Sequence, residues 1–267
     1  MNTLILSGYG TNCEHETAHA CRLAGAPEGS VHVRHIAEIY AGAIDLDDYA
    51  FLILAGGFLD GDDLGSARAG VNRFRYRAMP GGGTFLERLE AFIAAGRLVF
   101  GICNGFQLLV KLGLLPGGPG EGQQMTLAPN AHGKFEDRWV RLVADRDSPS
   151  VFTRGLAEIE LPVRHGEGRL IGAHEGLTAE LVQAGRVPLR YADAAGAPTE
   201  QYPENPNGSP LGAASLCDAS GRVMGLMPHP EAFHHATNHP RWTRRPWRSE
   251  EGDGLILFRN AYAYLRG

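Results

Sequence analysis

The chain alternates short apolar runs with segments whose apolar positions recur at helical spacing. Residues 3–6, 31–36, 51–54 (Phe-Leu-Ile-Leu) and 98–102 (Leu-Val-Phe-Gly-Ile) have the continuity of strands buried on both faces. Between them, Ala18, Cys21, Leu23 and Ala24 form an apolar stripe ending at Gly25, with Thr11 or Asn12 placed to cap that helix. Residues 85–95 carry a second stripe, 39–44 read as loop or short helix, and 60–83, rich in Gly, Arg and Asp, read as a long loop with one helical turn. After 98–102, Phe106, Leu109, Val110 and Leu114 return at helical spacing, with Gly113 and Pro116 as stop signals. This alternation predicts right-handed βαβ units and a parallel sheet.

Past a flexible link at 117–122 the pattern changes. Residues 139–143 and 159–163 alternate like strands, 169–171 form another, and 211–216 with 222–226 read as a hairpin around Asp218-Ala-Ser-Gly221. Residues 255–265 form a closing helix. The predicted fold class is α/β, a three-layer arrangement with a mostly parallel central sheet flanked by helices, as one domain over 1–267.

The junction at 101–105 changes the picture from architecture to chemistry. Gly101-Ile-Cys103-Asn-Gly105 is a small-x-nucleophile-x-small turn between a strand and a helix. Such an elbow lifts the nucleophile on a tight bend, with glycines where side chains would strike the neighbouring strand and helix. A thiol there sits at a helix N-terminus, which favours the thiolate.

A cysteine nucleophile needs a base held by a third group. Met227-Pro-His229-Pro-Glu231 supplies both, because its prolines hold an extended backbone in which residues two apart point the same way. The candidate triad is therefore Cys103, His229 and Glu231. Acyl transfer also needs oxyanion donors; the amide of Asn104 and that of Gly57, in the Ala55-Gly-Gly-Phe58 turn, are the candidates. A competing signal is His15-Glu-Thr-Ala-His19, which matches a zinc-protease motif, but it lacks an obvious third ligand. The expectation is that no metal is bound there, that His15 and His19 lie on an exposed helix face, and that 234–248 is a solvated or partner-facing loop.

Bulk properties narrow the class. The formal net charge is -5, which gives no sign of nucleic acid or anionic membrane as partner. No apolar run is long enough to span a bilayer, residue 1 leads directly into a strand without a signal sequence, and the four cysteines are scattered. The expectation is a cytoplasmic protein with reduced thiols.

With these residues assembled, the chain resembles the class I glutamine amidotransferases. Within them it is similar to the branch of glutaminase subunits of phosphoribosylformylglycinamidine synthases. The resemblance rests on Gly10-Thr-Asn-Cys-Glu14 with Glu16, Gly56-Gly-Phe58 with Gly61-Asp62, and Gly101-Ile-Cys-Asn-Gly-Phe-Gln107. It extends through Pro162-Val-Arg-His-Gly-Glu-Gly168, Asn205-Pro-Asn-Gly-Ser209 and Gly225-Leu-Met-Pro-His-Pro-Glu231. It implies a flavodoxin-like architecture and hydrolysis of L-glutamine by the same triad. It also implies ammonia transfer to a separate synthetase subunit that uses ATP and Mg, and a small bridging subunit as a further candidate partner. No cofactor is implied for this chain, which carries no phosphate-binding loop motif. By the same resemblance Gln107, His165 and Glu167 lie near the glutamine or the partner interface. The chain departs from the pattern at Ala55, where proline is usual, and in the longer 68–84 segment. Rival classes are a non-catalytic partner-binding subunit and a γ-glutamyl hydrolase or cysteine peptidase.

Overall fold

The computed structural model describes residues 1–244 and 249–267. The chain opens with β1 (Thr3–Ser7), α1 (Glu14–Leu23), β2 (Val31–His35), α2 (Ile36–Tyr40) and β3 (Phe51–Leu54). It continues through α3 (Arg68–Tyr76), α4 (Phe85–Ala94), β4 (Leu98–Ile102) and α5 (Asn104–Leu112). A second half follows with β5 (Met125–Ala128), β6 (Glu136–Ala144), β7 (Glu158–His165), β8 (Arg169–Gly172), α6 (Leu177–Gln183) and β9 (Leu189–Tyr191). The hairpin β10 (Ser215–Cys217) and β11 (Val223–Leu226) returns to the main sheet before α7 (Leu255–Arg266).

The main sheet has the order β10-β11-β4-β3-β1-β2, parallel except at the β10 edge. Every side chain of β3 and β4 is buried, as continuous apolar runs covered on both faces require. Two antiparallel groups, β5-β8 and β7-β6-β9, are built from the segment between α5 and β10. Sheet order places β3, β4 and β11 side by side, so their carboxyl ends meet at one point on the surface. That is where open α/β sheets gather ligands.

Local signals explain most element ends. Thr84 accepts from the Glu87 amide while Glu87 reaches back to the Thr84 amide, a capping box that starts α4. Gly113 adopts φ 84° and ends α5. Helix α1, in contrast, has Cys13 at its N-cap position with no side-chain cap, and neither Thr11 nor Asn12 serves. Leu23 is exposed, so the stripe of α1 is carried by Ala18, Ala20 and Cys21.

The segment 60–83 is more ordered than the sequence predicts. It holds the nine-residue helix α3, which buries Val71 and Phe74 and seats Gly70 against Leu59. The hairpin is shorter than 211–216 implies, because Leu211 takes φ 55° in a 3-10 turn ahead of β10. The 234–239 stretch is not a solvated loop throughout. His239 is buried against Trp139 and Phe233, with its Nε2 2.8 Å from Glu160 Oε2. Residues 245–248 of the 234–248 segment lie outside the described residues. No helix among the described residues is long and apolar enough to cross a membrane.

Candidate active site

Cys103 stands between β4 and α5 with φ 51° and ψ -103°, a conformation a β-carbon disfavours. Packing enforces this bend. A β-carbon on Gly105 would lie 1.9 Å from the Leu54 carbonyl oxygen, and one on Gly101 would lie 2.7 Å from the Gly105 carbonyl oxygen. The backbone thus crosses β3 so closely that only glycine fits on either side of the thiol. Behind it, Phe106, Leu109 and Val110 are fully buried and fix the helix on the sheet, each contributing on the order of 2 kcal/mol by burial.

The loop after β11 brings His229 and Glu231 to the same point. His229 Nδ1 lies 2.6 Å from Glu231 Oε1, with the imidazole 2 % and the carboxylate 0 % exposed. The other ring nitrogen, Nε2, is buried and has no hydrogen-bond partner among the described residues. Burial alone would push the imidazole pKa down, but the Glu231 charge and the Cys103 side chain outweigh it and hold it well above the ordinary 6.5. Nδ1 is taken by Glu231, so Nε2 is the nitrogen left to exchange a proton with the Cys103 thiol. The thiol itself donates to the Arg164 carbonyl oxygen at 3.7 Å.

The candidate oxyanion donors lie on the two neighbouring loops. Gly57 has φ 143°, and a β-carbon there would strike Gly10 and Thr11, whose strand-like bridge to Gly57 holds the turn. Among the described residues neither the Gly57 amide nor the Asn104 amide donates to a carbonyl or side chain. Both are therefore free to serve an incoming oxygen. The Asn104 side chain ties the two loops together, accepting from the Leu59 amide at 2.9 Å and donating to Asp62.

Gln107, His165 and Glu167 lie beside this centre rather than in it. Gln107 is buried, donating to the Glu167 carbonyl at 2.6 Å and accepting from Asn104 at 2.8 Å. The Glu167 carboxylate accepts from the Ser66 amide and hydroxyl and is 3.8 Å from Lys111 Nζ. His165 is 2 % exposed beside Asn130, and burial pushes its pKa down to about 3, so it is neutral. Gln107 and Glu167 brace the elbow and the 58–67 loop, while His165 packs against Asn130 and Gly168.

A cavity of about 130 Å³ opens onto Cys103 and His229. Its walls include residues that sequence reasoning did not single out. Arg164 and Asp137 sit opposite one another on β7 and β6, and Phe58 and Phe135 border the mouth. Cys13 lines the cavity too, its Sγ 4.0 Å from His229 Nδ1. Arg164 and Cys13 fall inside segments that resemble the glutaminase subunits, yet nothing in their own spacing marks them. His15 and His19 are exposed on α1, and His19 packs edge-on against His234. Among the described residues the three-residue group with metal-ligand geometry is Cys13, His229 and Glu231, not the His15/His19 pair.

A parallel sheet with a thiol elbow on a central strand, and a buried His–Glu pair on the next, defines an α/β protein built for cysteine-dependent acyl chemistry. Residues 1–265 match the CobB/CobQ-like glutamine amidotransferase domain, and the chain belongs to that family. Over 266 residues it is 41 % identical to a phosphoribosylformylglycinamidine synthase subunit PurQ of Dehalococcoides mccartyi, covering 100 % of this chain and 98 % of that one. It is 36 % identical to the protein of the same name from Methanococcus maripaludis, over 98 % of this chain and 96 % of that one. Among solved structures it resembles a chain of PurLQS from Thermotoga maritima, with a TM-score of 0.71 and 27 % identity. That match covers 99 % of this chain and 98 % of the other.

Proposed function

We propose that this chain is the glutaminase subunit of a phosphoribosylformylglycinamidine synthase. In this reading it hydrolyses L-glutamine to glutamate and ammonia for de novo purine synthesis in the cytoplasm. The observation that carries the reading is the buried His229–Glu231 pair beside the Cys103 elbow, in a chain that matches PurQ proteins nearly end to end.

His229 Nε2 takes the thiol proton, and the thiolate attacks the side-chain amide carbon of glutamine. The oxyanion collects on the amides of Gly57 and Asn104, each such donor being worth about 3 kcal/mol in comparable sites. The imidazolium returns its proton to the leaving nitrogen, and ammonia departs as the γ-glutamyl thioester forms. Water then attacks the thioester with His229 again as base, releasing glutamate and restoring the thiol. Glu231 keeps Nδ1 protonated and steadies the charged ring throughout. Arg164 and Asp137, facing each other at the cavity wall, offer a cation and an anion to the α-carboxylate and α-ammonium groups of the substrate.

The ammonia passes to a separate synthetase subunit that carries ATP and Mg. Glutamine hydrolysis measured with and without that synthetase tests the reading. Cys103→Ala should abolish ammonia release while leaving assembly intact, and a glutamine-analogue electrophile should add its mass to Cys103. Undiminished ammonia release by Cys103→Ala would sink the mechanism. Cleavage of folylpolyglutamate or peptide in preference to glutamine would favour the hydrolase class instead.

A further inference from the structure

The thiol of Cys13 stands on the side of the imidazole that the hydrolysis does not use. Its Sγ is 4.0 Å from His229 Nδ1, and its other hydrogen bond goes only to its neighbour Asn12, at 3.2 Å. The donor atoms of Cys13, His229 and Glu231 lie within 4.8 Å of one another, and all three residues are buried. The second carboxylate oxygen of Glu231, Oε2, has no hydrogen-bond partner among the described residues although the side chain is fully enclosed. A buried acceptor left open beside a thiol and an imidazole is unusual unless something can bind it.

We propose that Cys13, His229 and Glu231 form a site for a thiophilic divalent cation of the Zn²⁺ class, and that filling it switches the glutaminase off. The inference builds on the glutaminase reading. Zinc holds sulfur at about 2.3 Å and nitrogen at about 2.0 Å, which puts the two donors about 3.5 Å apart in a tetrahedral shell. Cys13 Sγ and His229 Nδ1 need close by only about half an ångström to reach that spacing. The carboxylate must turn off Nδ1, and its unpartnered Oε2 lets it turn without losing another hydrogen bond. One thiolate and one carboxylate balance the divalent charge, as burial requires. The adjoining cavity, lined by Cys13 and His229, leaves room for water as fourth ligand. Arg164, the nearby cation, bonds Glu16 at 3.3 Å and its charge also acts on Glu231 and Cys13, so an incoming divalent cation competes with it for those two groups.

The proton balance explains the inhibition. The Cys13 thiol proton leaves to solvent, and the ring binds the cation through the Nδ1 lone pair. The neutral imidazole then keeps its single proton on Nε2. That nitrogen has no lone pair left to accept the Cys103 proton, so the thiolate cannot form by this route.

The test uses the full chain with its synthetase and zinc chloride alone as probe. Zinc should inhibit ammonia release reversibly, with full recovery on chelation. In Cys13→Ser the half-inhibitory zinc concentration should rise at least tenfold, each protein being measured against its own zinc-free rate. A second measurement removes the nucleophile. Cobalt added to Cys103→Ala should give a near-ultraviolet thiolate-to-metal band, absent in the Cys13→Ser/Cys103→Ala double variant. Equal zinc sensitivity of the wild type and Cys13→Ser would overturn the proposal, placing the cation on Cys103 and Nε2. Loss of the cobalt band in Cys103→Ala would overturn it too. A chain that releases no ammonia at all would refute the glutaminase reading, while the cobalt band would still decide the site.

Discussion

Glu231 Oε1 approaches His229 Nδ1 to 2.6 Å with both side chains sealed from water, which makes the imidazole a stronger base than an exposed histidine. Glu231→Gln keeps the shape but removes the charge and one acceptor. Glutamine hydrolysis should fall on the order of 10²-fold or more. The same substitution bears on folding. The folded imidazole holds its proton more tightly than the unfolded one, so the pair stabilises the fold below about pH 6.5. That stability fades as pH rises through the elevated folded value. The urea midpoint of Glu231→Gln should therefore drop more at pH 6 than at pH 9, and an equal drop at both would contradict the assignment.

Gly56 bears on the ring from the other side. A β-carbon there would come within 2.9 Å of His229 Cε1 and 3.4 Å of Cys13 Sγ. Gly56→Ala should fold, lose about 1–3 kcal/mol of stability and push the imidazole off its line to Cys103. Steady-state kinetics should show kcat falling at least tenfold with little change in the glutamine KM.

Arg164→Gln separates binding from chemistry in the opposite sense. Arg164 lines the cavity and its guanidinium also bonds Glu16, while its carbonyl, which accepts from the Cys103 thiol, is unaffected by the exchange. The glutamine KM should rise about tenfold or more with kcat changed less, the mark of lost ground-state binding. A kcat effect alone would argue that Arg164 does not touch the substrate.

Lys111 tests the brace behind the elbow. Its ammonium is buried, donating to the Ser66 carbonyl and hydroxyl, and burial lowers its pKa. Lys111→Met leaves those acceptors and Glu167 without their cation. The cost should be about 2 kcal/mol in urea denaturation, discounted because the Glu167 side chain is 28 % exposed. Hydrogen exchange should rise in the 58–67 loop before the rest of the sheet responds.

Legibility followed how locally each feature is encoded. β3 and β4 were readable because every residue faces core, and the elbow because its glycines flank the thiol in sequence. Helix α3 was not, because only Val71 and Phe74 give it an apolar face among Arg68, Asn72, Arg73 and Arg75. β5 and β9 are four and three residues long, too short for an alternating pattern to emerge. The His229–Glu231 pair lies two residues apart in extended chain, so its geometry could be anticipated. Cys13 stands 216 residues from His229 in sequence, and no one-dimensional pattern places its sulfur on that ring. Arg164 and Asp137 meet only through the register of β6 and β7.

The placement of β11 beside β4 has a consequence for biosynthesis. The thiol stands between β4 and α5, early in the chain, whereas its base follows β11, which pairs with β4 only across the segment that builds the small sheets. A nascent or truncated chain ending before β11 therefore exposes a cysteine with no proton acceptor. Such a fragment would hold the nucleophile but lack the group that activates it.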